Sequence, residues 1–308
     1  MLPRPAALVL GVVLVAGLAG CGSASGWTTQ GTRVRVVAAF YAVQYAAQQV
    51  GGSHVEVAGL TRPGAEPHDL ELTPRQVGRV ATADLVVYER GFQPAVDAAV
   101  AEEARGTAFD VSPAAHLDLA LPTEDGGHQH DHAAGRPDPH FWLDPLRLAG
   151  VADAVAAQLE ARDRANAAAY RANAQAFRAE MASLDGEFST ALAHCRVRDL
   201  VTSHAAFGYL AERYGLRQQS ISGLDPEAEP DPATLARVAA HVRDSGASTV
   251  YAETLVSKAV ARTLARESGA RLAVLDPLEG ITDESAGSDY PSVMRANLAT
   301  LRAGQECT

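Results

Sequence analysis

The stretch "RVRVVAAFYAVQYAAQQVGGSHVEVAGL", residues 33–60, contains a strand, a helix and a second strand in succession. Its apolar, β-branched beginning at residues 33–40 predicts a strand, and the helical pattern that follows ends at Gly51 and Gly52. Residues 54–60 alternate between polar and apolar side chains, as a strand does. A helical pattern at 74–81 and a buried-strand pattern at 84–89 continue the series, which predicts the α/β class with a parallel sheet.

The same alternation restarts after a long helical segment. Residues 165–194 contain no proline, and their large apolar side chains recur at helical spacing, so they predict a helix about 45 Å long. Further strand patterns lie at residues 198–204, 217–224, 248–254 and 271–278. We therefore predict two α/β lobes, each a mainly parallel sheet flanked by helices, at 33–164 and 195–308, joined by this one helix.

The N-terminus has the features of an export signal. Arg4 precedes an apolar run too short to cross a bilayer comfortably, and the run ends at "LAGC", whose last residue is Cys21. This pattern resembles the lipobox of bacterial lipoproteins, in which the cysteine is acylated; a plain signal peptide is the alternative. We predict a signal peptide over residues 1–20, a tether over 21–32, and an extracytoplasmic protein anchored to the cell membrane through lipid on Cys21.

Charge and cysteine content narrow the possible partners. The chain has 26 basic and 37 acidic side chains, a net charge of −11, which argues against nucleic acid because its phosphates would be repelled. Besides Cys21, the chain contains Cys195 and Cys307. In an exported protein two such thiols more often form a disulfide than a reactive site, so we expect them to be bonded.

One segment is biased in composition. Residues 124–132, "EDGGHQHDH", place His128, His130 and His132 at alternate positions among acids and glycines. Clustered imidazoles and carboxylates in a flexible loop bind transition metals loosely and exchange them quickly. We predict an auxiliary metal-capture loop in the N-terminal lobe; a solvated loop that is rich in histidine by chance is the alternative.

Four other positions fall at strand ends or in loops, where ligands collect in an α/β fold. They are His68 in "EPHDLE", His140 in "DPHFWLDP", His204 in "VTSHAAFGYL" and Asp276 in "VLDPLEG". Taken singly, a histidine after a strand is usually a surface or capping residue. Together, three imidazoles and a carboxylate supply the four-coordinate shell that Zn²⁺ prefers, so they predict one tight zinc site.

Five motifs carry a resemblance to a known family. In order along the chain they are "PGAEPHDLELTP", "DPHFWLDP", "VTSHAAFGYLAERYGL", "DPEAEPDPATL" and "LDPLEG". The chain resembles the cluster A-I metal receptors of bacterial ABC transporters, in particular the zinc-uptake, ZnuA/TroA-like branch, over residues 33–302. The resemblance implies a receptor whose two lobes close modestly around a metal and deliver it to a membrane permease. We expect a monomer.

The resemblance also implies the ligands. The matching positions are His68, His140 and His204, with Asp276 aligned to the family's aspartate in the last strand. In the manganese branch the third position resembles a glutamate, so histidine at position 204 favours zinc, as ligand softness also suggests. The fourth ligand stays open between Asp276, Glu66 and water.

Several residues close to the predicted ligands in the sequence are candidates for a supporting role at the zinc site. Phe141 and Trp142 follow His140 and either shield the site from water or pack in the core. Glu253, in "YAET", is expected either to accept the second N–H of a ligand or to be a surface acid. Phe207 and Tyr209 are expected in a helix core.

Three other functions are compatible with parts of this pattern. A receptor for manganese or another divalent metal and a metal-binding adhesin are two of them. The third is a zinc hydrolase, because three histidines with an open fourth position also activate water. The chain contains neither an HExxH helix nor a nucleophile elbow, and we expect a binding protein rather than an enzyme.

Overall fold

The structure is a computed structural model that describes residues 33–120, 137–223 and 226–308. The predicted signal peptide and tether, the lipid attachment at Cys21, and the capture loop with His128, His130 and His132 lie outside these ranges. Within them, no helix combines the length and the apolar composition needed to cross a membrane.

The first lobe is built on a four-stranded parallel sheet. Its strands run in the order β2-β1-β3-β4 and are β1 (Val34–Ala38), β2 (Val55–Gly59), β3 (Leu85–Tyr88) and β4 (Ala108–Asp110). The first three lie where the sequence predicts strands. The fourth was not predicted, because three half-buried residues are too short to show a strand period.

Helices cover this sheet. They are α1 (Tyr41–Gly51), α2 (Pro74–Thr82), α3 (Pro94–Glu103), the short α4 (Ser112–Ala115) and α5 (Pro145–Arg162). Local sequence fixes where α2 begins, since Thr73 and Gln76 form a capping box around Pro74. The loop that precedes this cap, residues 60–73, starts at the carboxyl end of β2.

The long helix α6 (Ala167–Ala191) connects the lobes. It buries one stripe of side chains at helical spacing against α1, α5 and a helix of the second lobe: Tyr170, Ala174, Phe177, Met181, Leu184 and Phe188. The α-helix is shorter than the predicted 165–194, because a separate 3₁₀ turn at Arg164–Asn166 precedes it and its helical hydrogen bonds end at Leu192. Its 25 residues span about 38 Å.

The second lobe repeats the architecture. Its parallel sheet has the order β6-β5-β7-β8, with β5 (Asp199–Thr202), β6 (Arg217–Ser220), β7 (Thr249–Ala252) and β8 (Arg271–Val274). The helices are α7 (Gly208–Tyr214), α8 (Pro232–Ser245), α9 (Ala259–Ser268) and α10 (Tyr290–Gly304). The predicted fold class, two parallel-sheet lobes joined by a long helix, is confirmed.

The two lobes share one apolar core. A single buried cluster runs from the first sheet through α5 and α6 to α7 and α10, while a smaller cluster lies within the second lobe under α8 and α9. Because a close-packed core resists small shifts, this shared cluster limits how far the two sheets can move relative to each other.

The C-terminus is fastened to the start of the second lobe. Cys195 and Cys307 are disulfide-bonded across 112 residues of chain. Next to the bond, the buried amide of Gln305 donates to the carbonyls of Val197 and Asp199 at the beginning of β5.

Candidate metal centre

The loop between β2 and α2 supplies His68. Glu66 accepts a hydrogen bond from the backbone N–H of His68 at 2.8 Å, and the buried Gln93 donates to the carbonyl of Pro67 at 3.0 Å. The Phe92 ring meets the His68 imidazole edge-on, with 4.8 Å between the ring centroids. These contacts orient the imidazole although its backbone belongs to no helix or strand.

His140 lies just before the 3₁₀ turn Phe141–Leu143 that leads into α5. Asp138 Oδ1 accepts from the backbone N–H of His140 at 2.9 Å and lies 2.7 Å from its Nδ1. On the other side of Asp138 lies α7 of the second lobe. A Cβ added at Gly208 would be 2.5 Å from Asp138 Oδ2, so a larger residue there would force the Asp138 carboxylate to shift. The other imidazole nitrogen, Nε2, therefore faces the space between the lobes.

His204 follows the carboxyl end of β5 and is held in a similar way. Glu253, which follows β7, accepts from the backbone N–H of His204 at 2.9 Å through Oε1 and lies 2.5 Å from Nδ1 through Oε2. A carboxylate beside Nδ1 keeps the proton on that nitrogen, so that Nε2 is the nitrogen that can offer its lone pair to a metal once its own proton is displaced. Both side chains are buried.

Glu279 completes a group of four. Its Oε1 lies 3.2 Å from Nε2 of His68, 3.3 Å from Nε2 of His140 and 3.4 Å from Nε2 of His204. Nε2 of His140 is 3.2 Å from that of His68 and 3.4 Å from that of His204. Within the described ranges, these four side chains form the one group of three or more histidine, cysteine or acidic residues able to hold a metal, with all four donor atoms within 4.8 Å of one another.

The donor spacing suits a small four-coordinate cation. In a regular tetrahedron with metal–ligand bonds of about 2.0 to 2.1 Å, neighbouring donors are about 3.3 to 3.4 Å apart. The five donor separations of 3.2 to 3.4 Å agree with this figure. Five of the six separations among the four donors therefore match those of a tetrahedral Zn²⁺ site, and all four donors lie within 4.8 Å of one another.

Burial and charge set the ionisation of the group. Burial lowers the pKa of His68. For His204, burial acts in the same direction, but the adjoining carboxylate of Glu253, with Glu279, outweighs it and raises the pKa well above its ordinary value. Asp138 and Glu279 likewise outweigh burial and raise the pKa of His140.

The carboxylate of the group is ionised. Burial acts to raise the pKa of Glu279, but hydrogen bonds from the imidazoles of His140, His204 and His68 outweigh burial and hold it well below its ordinary value. The second acid nearby differs: burial, and then the charge of Glu279, raise the pKa of Glu66 to about 8. Near neutral pH Glu66 is therefore largely protonated, and its Oε1 is 3.9 Å from Nε2 of His68.

Asp276 lies outside the group of four. Its Oδ1 accepts from the backbone N–H of Leu278 at 2.8 Å, and its Oδ2 accepts from the hydroxyl of Ser285 at 2.6 Å. The carboxylate that the structure groups with the histidines is Glu279, three residues further along the same motif. Sequence reasoning missed it, although "LDPLEG" contains both acids.

The remaining predicted neighbours are close to the centre. Phe141 and Trp142 are fully buried, and the rings of Trp142 and His140 are 5.2 Å apart. Phe207 is buried just before α7, and Tyr209, in the first turn of α7, donates to the carbonyl of Asp138 at 3.1 Å. Tyr209 thus touches the segment that carries His140, a contact that the prediction of a helix-core residue did not include.

Comparison with known proteins agrees with the fold and with the chemistry of the group. Residues 36–304 match the family described as "Zinc-uptake complex component A periplasmic", ZnuA. The chain belongs to this family. Its members are solute-binding receptors rather than enzymes.

Two relatives and one solved structure show the extent of the similarity. The zinc-binding protein AdcA of Streptococcus pyogenes serotype M6 is 34% identical over 289 residues, which cover 88% of this chain and 56% of AdcA. The chain thus spans little more than half the length of that relative. The high-affinity zinc uptake system protein ZnuA of Bacillus subtilis is 33% identical, over 92% of both chains.

The structure is similar to the Zn(II)-bound ZnuA-like domain of AdcA from Streptococcus pneumoniae. The TM-score is 0.73 at 33% identity, over 89% of this chain and 99% of that domain. Both the fold and its two-lobe arrangement are therefore shared with a protein whose metal-bound form has been solved.

Proposed function

We propose that this protein is a zinc receptor that binds one Zn²⁺ outside the cytoplasmic membrane and passes it to an ABC permease. The observation that carries the proposal is the group of His68, His140, His204 and Glu279. Five of the six separations among its donor atoms are 3.2 to 3.4 Å, as in a tetrahedral zinc site. The names of the relatives, which include a zinc-uptake protein matched over almost its whole length, support the same cargo.

The donor set favours zinc over manganese. Three imidazole nitrogens and one carboxylate oxygen form a borderline-soft, four-coordinate environment, whereas Mn²⁺ prefers more oxygen donors. With three histidines among four ligands, we expect zinc to bind orders of magnitude more tightly than manganese.

The two lobes contribute equally. His68 and His140 belong to the N-terminal lobe, and His204 and Glu279 belong to the C-terminal lobe. An ion that needs donors from both lobes binds the closed form better than an open one, so binding shifts the population towards closure. Release then requires that the permease separate the two halves of the site.

We assign the fourth ligand to Glu279 rather than to Asp276, Glu66 or water. Asp276 uses both carboxylate oxygens inside its own loop. Glu66 lies outside the group of four: its Oε1 accepts from the backbone N–H of His68 and is 3.9 Å from Nε2 of that residue. Four protein donors also leave no open position for an activated water, which is what a hydrolytic zinc site needs. This supports carriage of the ion rather than catalysis.

Three parts of the proposal rest on the sequence. The lipid on Cys21 would hold the receptor at the membrane, the histidines at 128, 130 and 132 would collect zinc for the tight site, and the permease would be its partner. A variant lacking residues 124–132 should keep the tight site and capture zinc more slowly at low concentration.

The test is a competitive titration of the metal-stripped protein with Zn²⁺ and Mn²⁺ against a chelator. One tight zinc equivalent and much weaker manganese binding are expected. Glu279→Ala should weaken zinc binding by about tenfold or more. Asp276→Asn, which keeps an oxygen for the backbone N–H of Leu278, should have a much smaller effect. Preference for manganese, or no tight site, would overturn the proposal. Equal losses in the two variants would overturn only the assignment of Glu279.

A further inference from the structure

Trp142 joins two of the segments that carry the metal-binding group. Its indole N–H donates to the carbonyl of Pro277 at 2.8 Å, across the boundary between the lobes. Trp142 lies two residues after His140, and Pro277 lies two residues before Glu279. One hydrogen bond therefore ties a histidine of the first lobe to the carboxylate of the second.

We propose that Trp142 is a positioning residue for Glu279: its N–H fixes the distance between the Glu279 loop and His140, and the zinc affinity depends on it. The inference rests on the proposed zinc-binding function. It concerns the donated hydrogen bond rather than the bulk of the ring, which also packs against Phe40 and Phe92.

The Trp142 side of this contact is rigid. The side chain is fully buried, its ring centroid is 5.0 Å from that of Phe40, and its backbone carbonyl accepts from the hydroxyl of Tyr290 on α10 at 2.5 Å. Neither the indole nor its backbone can shift without breaking packed contacts. The N–H is therefore a fixed reference point for whatever it binds.

The Glu279 loop is shaped from its other side as well. Asn297 on α10 accepts from the backbone N–H of Asp276 at 2.9 Å and donates to its carbonyl at 2.7 Å. Leu278, directly before Glu279, has a φ of 58°, in the left-handed region that a branched side chain rarely adopts. Such a backbone persists only where its surroundings determine it. The Asn297 contacts come from the same lobe as the loop, whereas the Trp142 hydrogen bond to Pro277 comes from the opposite lobe.

Loss of the N–H should act through Glu279. Without it, the carbonyl of Pro277 has no buried donor from Trp142, and the left-handed turn at Leu278 is free to relax. The carboxylate would then sample positions away from the three Nε2 atoms, so zinc would be bound less tightly even though every ligand is still present.

The experiment compares two replacements at position 142. Trp142→Phe removes the donor and some volume, whereas 3-benzothienylalanine at this position keeps the shape of the indole and lacks only the N–H. Both should weaken Zn²⁺ by about tenfold in a chelator competition. Tyr170→Phe is the control, because it removes another hydrogen bond from a buried ring, to Asp163 at 2.8 Å, at the N-terminal end of α6. It should leave zinc affinity unchanged.

A double-mutant cycle separates positioning from general support. In the Glu279→Ala background the Trp142 replacements should change zinc affinity by less than about twofold, because the group they position is gone. Equal losses with and without Glu279, or full affinity with benzothienylalanine, would overturn the inference while leaving the zinc receptor intact. Failure of the unmodified protein to bind zinc would instead overturn the proposed function.

Discussion

His68 and His204 present the same atom to the centre but are held in different ways. His204 is buried to 0% exposure at the end of a strand with a carboxylate on Nδ1, whereas 10% of the His68 side chain is exposed and the residue belongs to a loop. The pKa of His204 is raised by Glu253, and that of His68 is lowered by burial. The group thus combines one histidine carried by a loop with two histidines whose Nδ1 atoms contact acids.

His140 belongs with His204 in this comparison. Asp138 holds its Nδ1 as Glu253 holds that of His204, and each acid also accepts from the backbone N–H of the histidine it serves. One anchored histidine comes from each lobe. The two histidines held by acids therefore form a part of the site that spans the lobe boundary, and the loop that carries His68 covers this part from one side.

The largest expected effect is the loss of an anchored histidine. His204→Ala removes a ligand from a fully buried position, where bulk water does not reach to replace it, so we expect zinc affinity to fall by about a hundredfold or more, about 2.7 kcal/mol. His68→Ala should cost less, about tenfold, because the His68 side chain is 10% exposed and close to Glu66, so that water or this carboxylate can reach the vacated position. Chelator competition measures the zinc affinity of both variants. Equal losses of affinity would contradict the distinction between histidines held by acids and the histidine carried by a loop.

The next effect concerns the anchoring acids. Glu253→Gln keeps an oxygen for the backbone N–H of His204 but removes the charge that fixes its ring, and we expect a loss of about 10- to 100-fold in zinc affinity. Asp199→Asn serves as the control, since it changes a buried acid at the opposite end of β5, where it pairs with Arg217. Undiminished affinity in Glu253→Gln would mean that burial alone orients His204.

The sequence predicted the three histidines that the structure brings together. Each follows a strand or a proline-rich segment, and the α/β alternation brings strand ends together at one edge. The alternation predicted seven of the eight strands, and it missed β4, whose three residues show no period.

The sequence did not predict Glu279, the carboxylate that the structure groups with these histidines. Asp276 and Glu279 stand three residues apart, and composition alone does not say which one faces the histidines. The choice depends on the left-handed backbone at Leu278 and on the Asn297 contacts from α10, both of which are tertiary features. For the same reason the sequence left Trp142 between shielding and core packing, since its hydrogen-bond partner lies 135 residues away.

The third prediction is a pH dependence that separates the two kinds of histidine. Zinc binds only neutral imidazole, so the raised pKa of His140 and His204 makes protons compete as the pH falls from above the ordinary histidine range. We expect about a tenfold loss of affinity per pH unit for each proton displaced. In Glu253→Gln the steep part should move to lower pH, and an unchanged profile would argue against control by Glu253.

The same pKa shifts predict opposite trends for the metal-free and zinc-loaded forms. A histidine whose pKa is raised by folding stabilises the fold below its unfolded pKa, and this contribution is lost as the pH rises through the folded value. The stabilisation of the fold by bound zinc increases over the same pH range, because fewer protons must be displaced from the imidazoles when zinc binds. The Tm difference between the two forms, measured by calorimetry, should therefore widen with pH; a constant difference would contradict the linkage.

The smallest expected effect on zinc lies at the far end of β5, where Cys195 and Cys307 are bonded. Replacing both cysteines by serine removes a link across 112 residues and should lower the free energy of unfolding by about 2–4 kcal/mol in urea titration. Zinc affinity should change by less than about twofold, because Gln305 still holds the C-terminus to the start of β5 through two buried hydrogen bonds. His204 stands at the other end of this strand, so a tenfold loss of affinity would mean that β5 transmits the fastening of the C-terminus to the metal centre and that the anchored half is less rigid than its packing indicates.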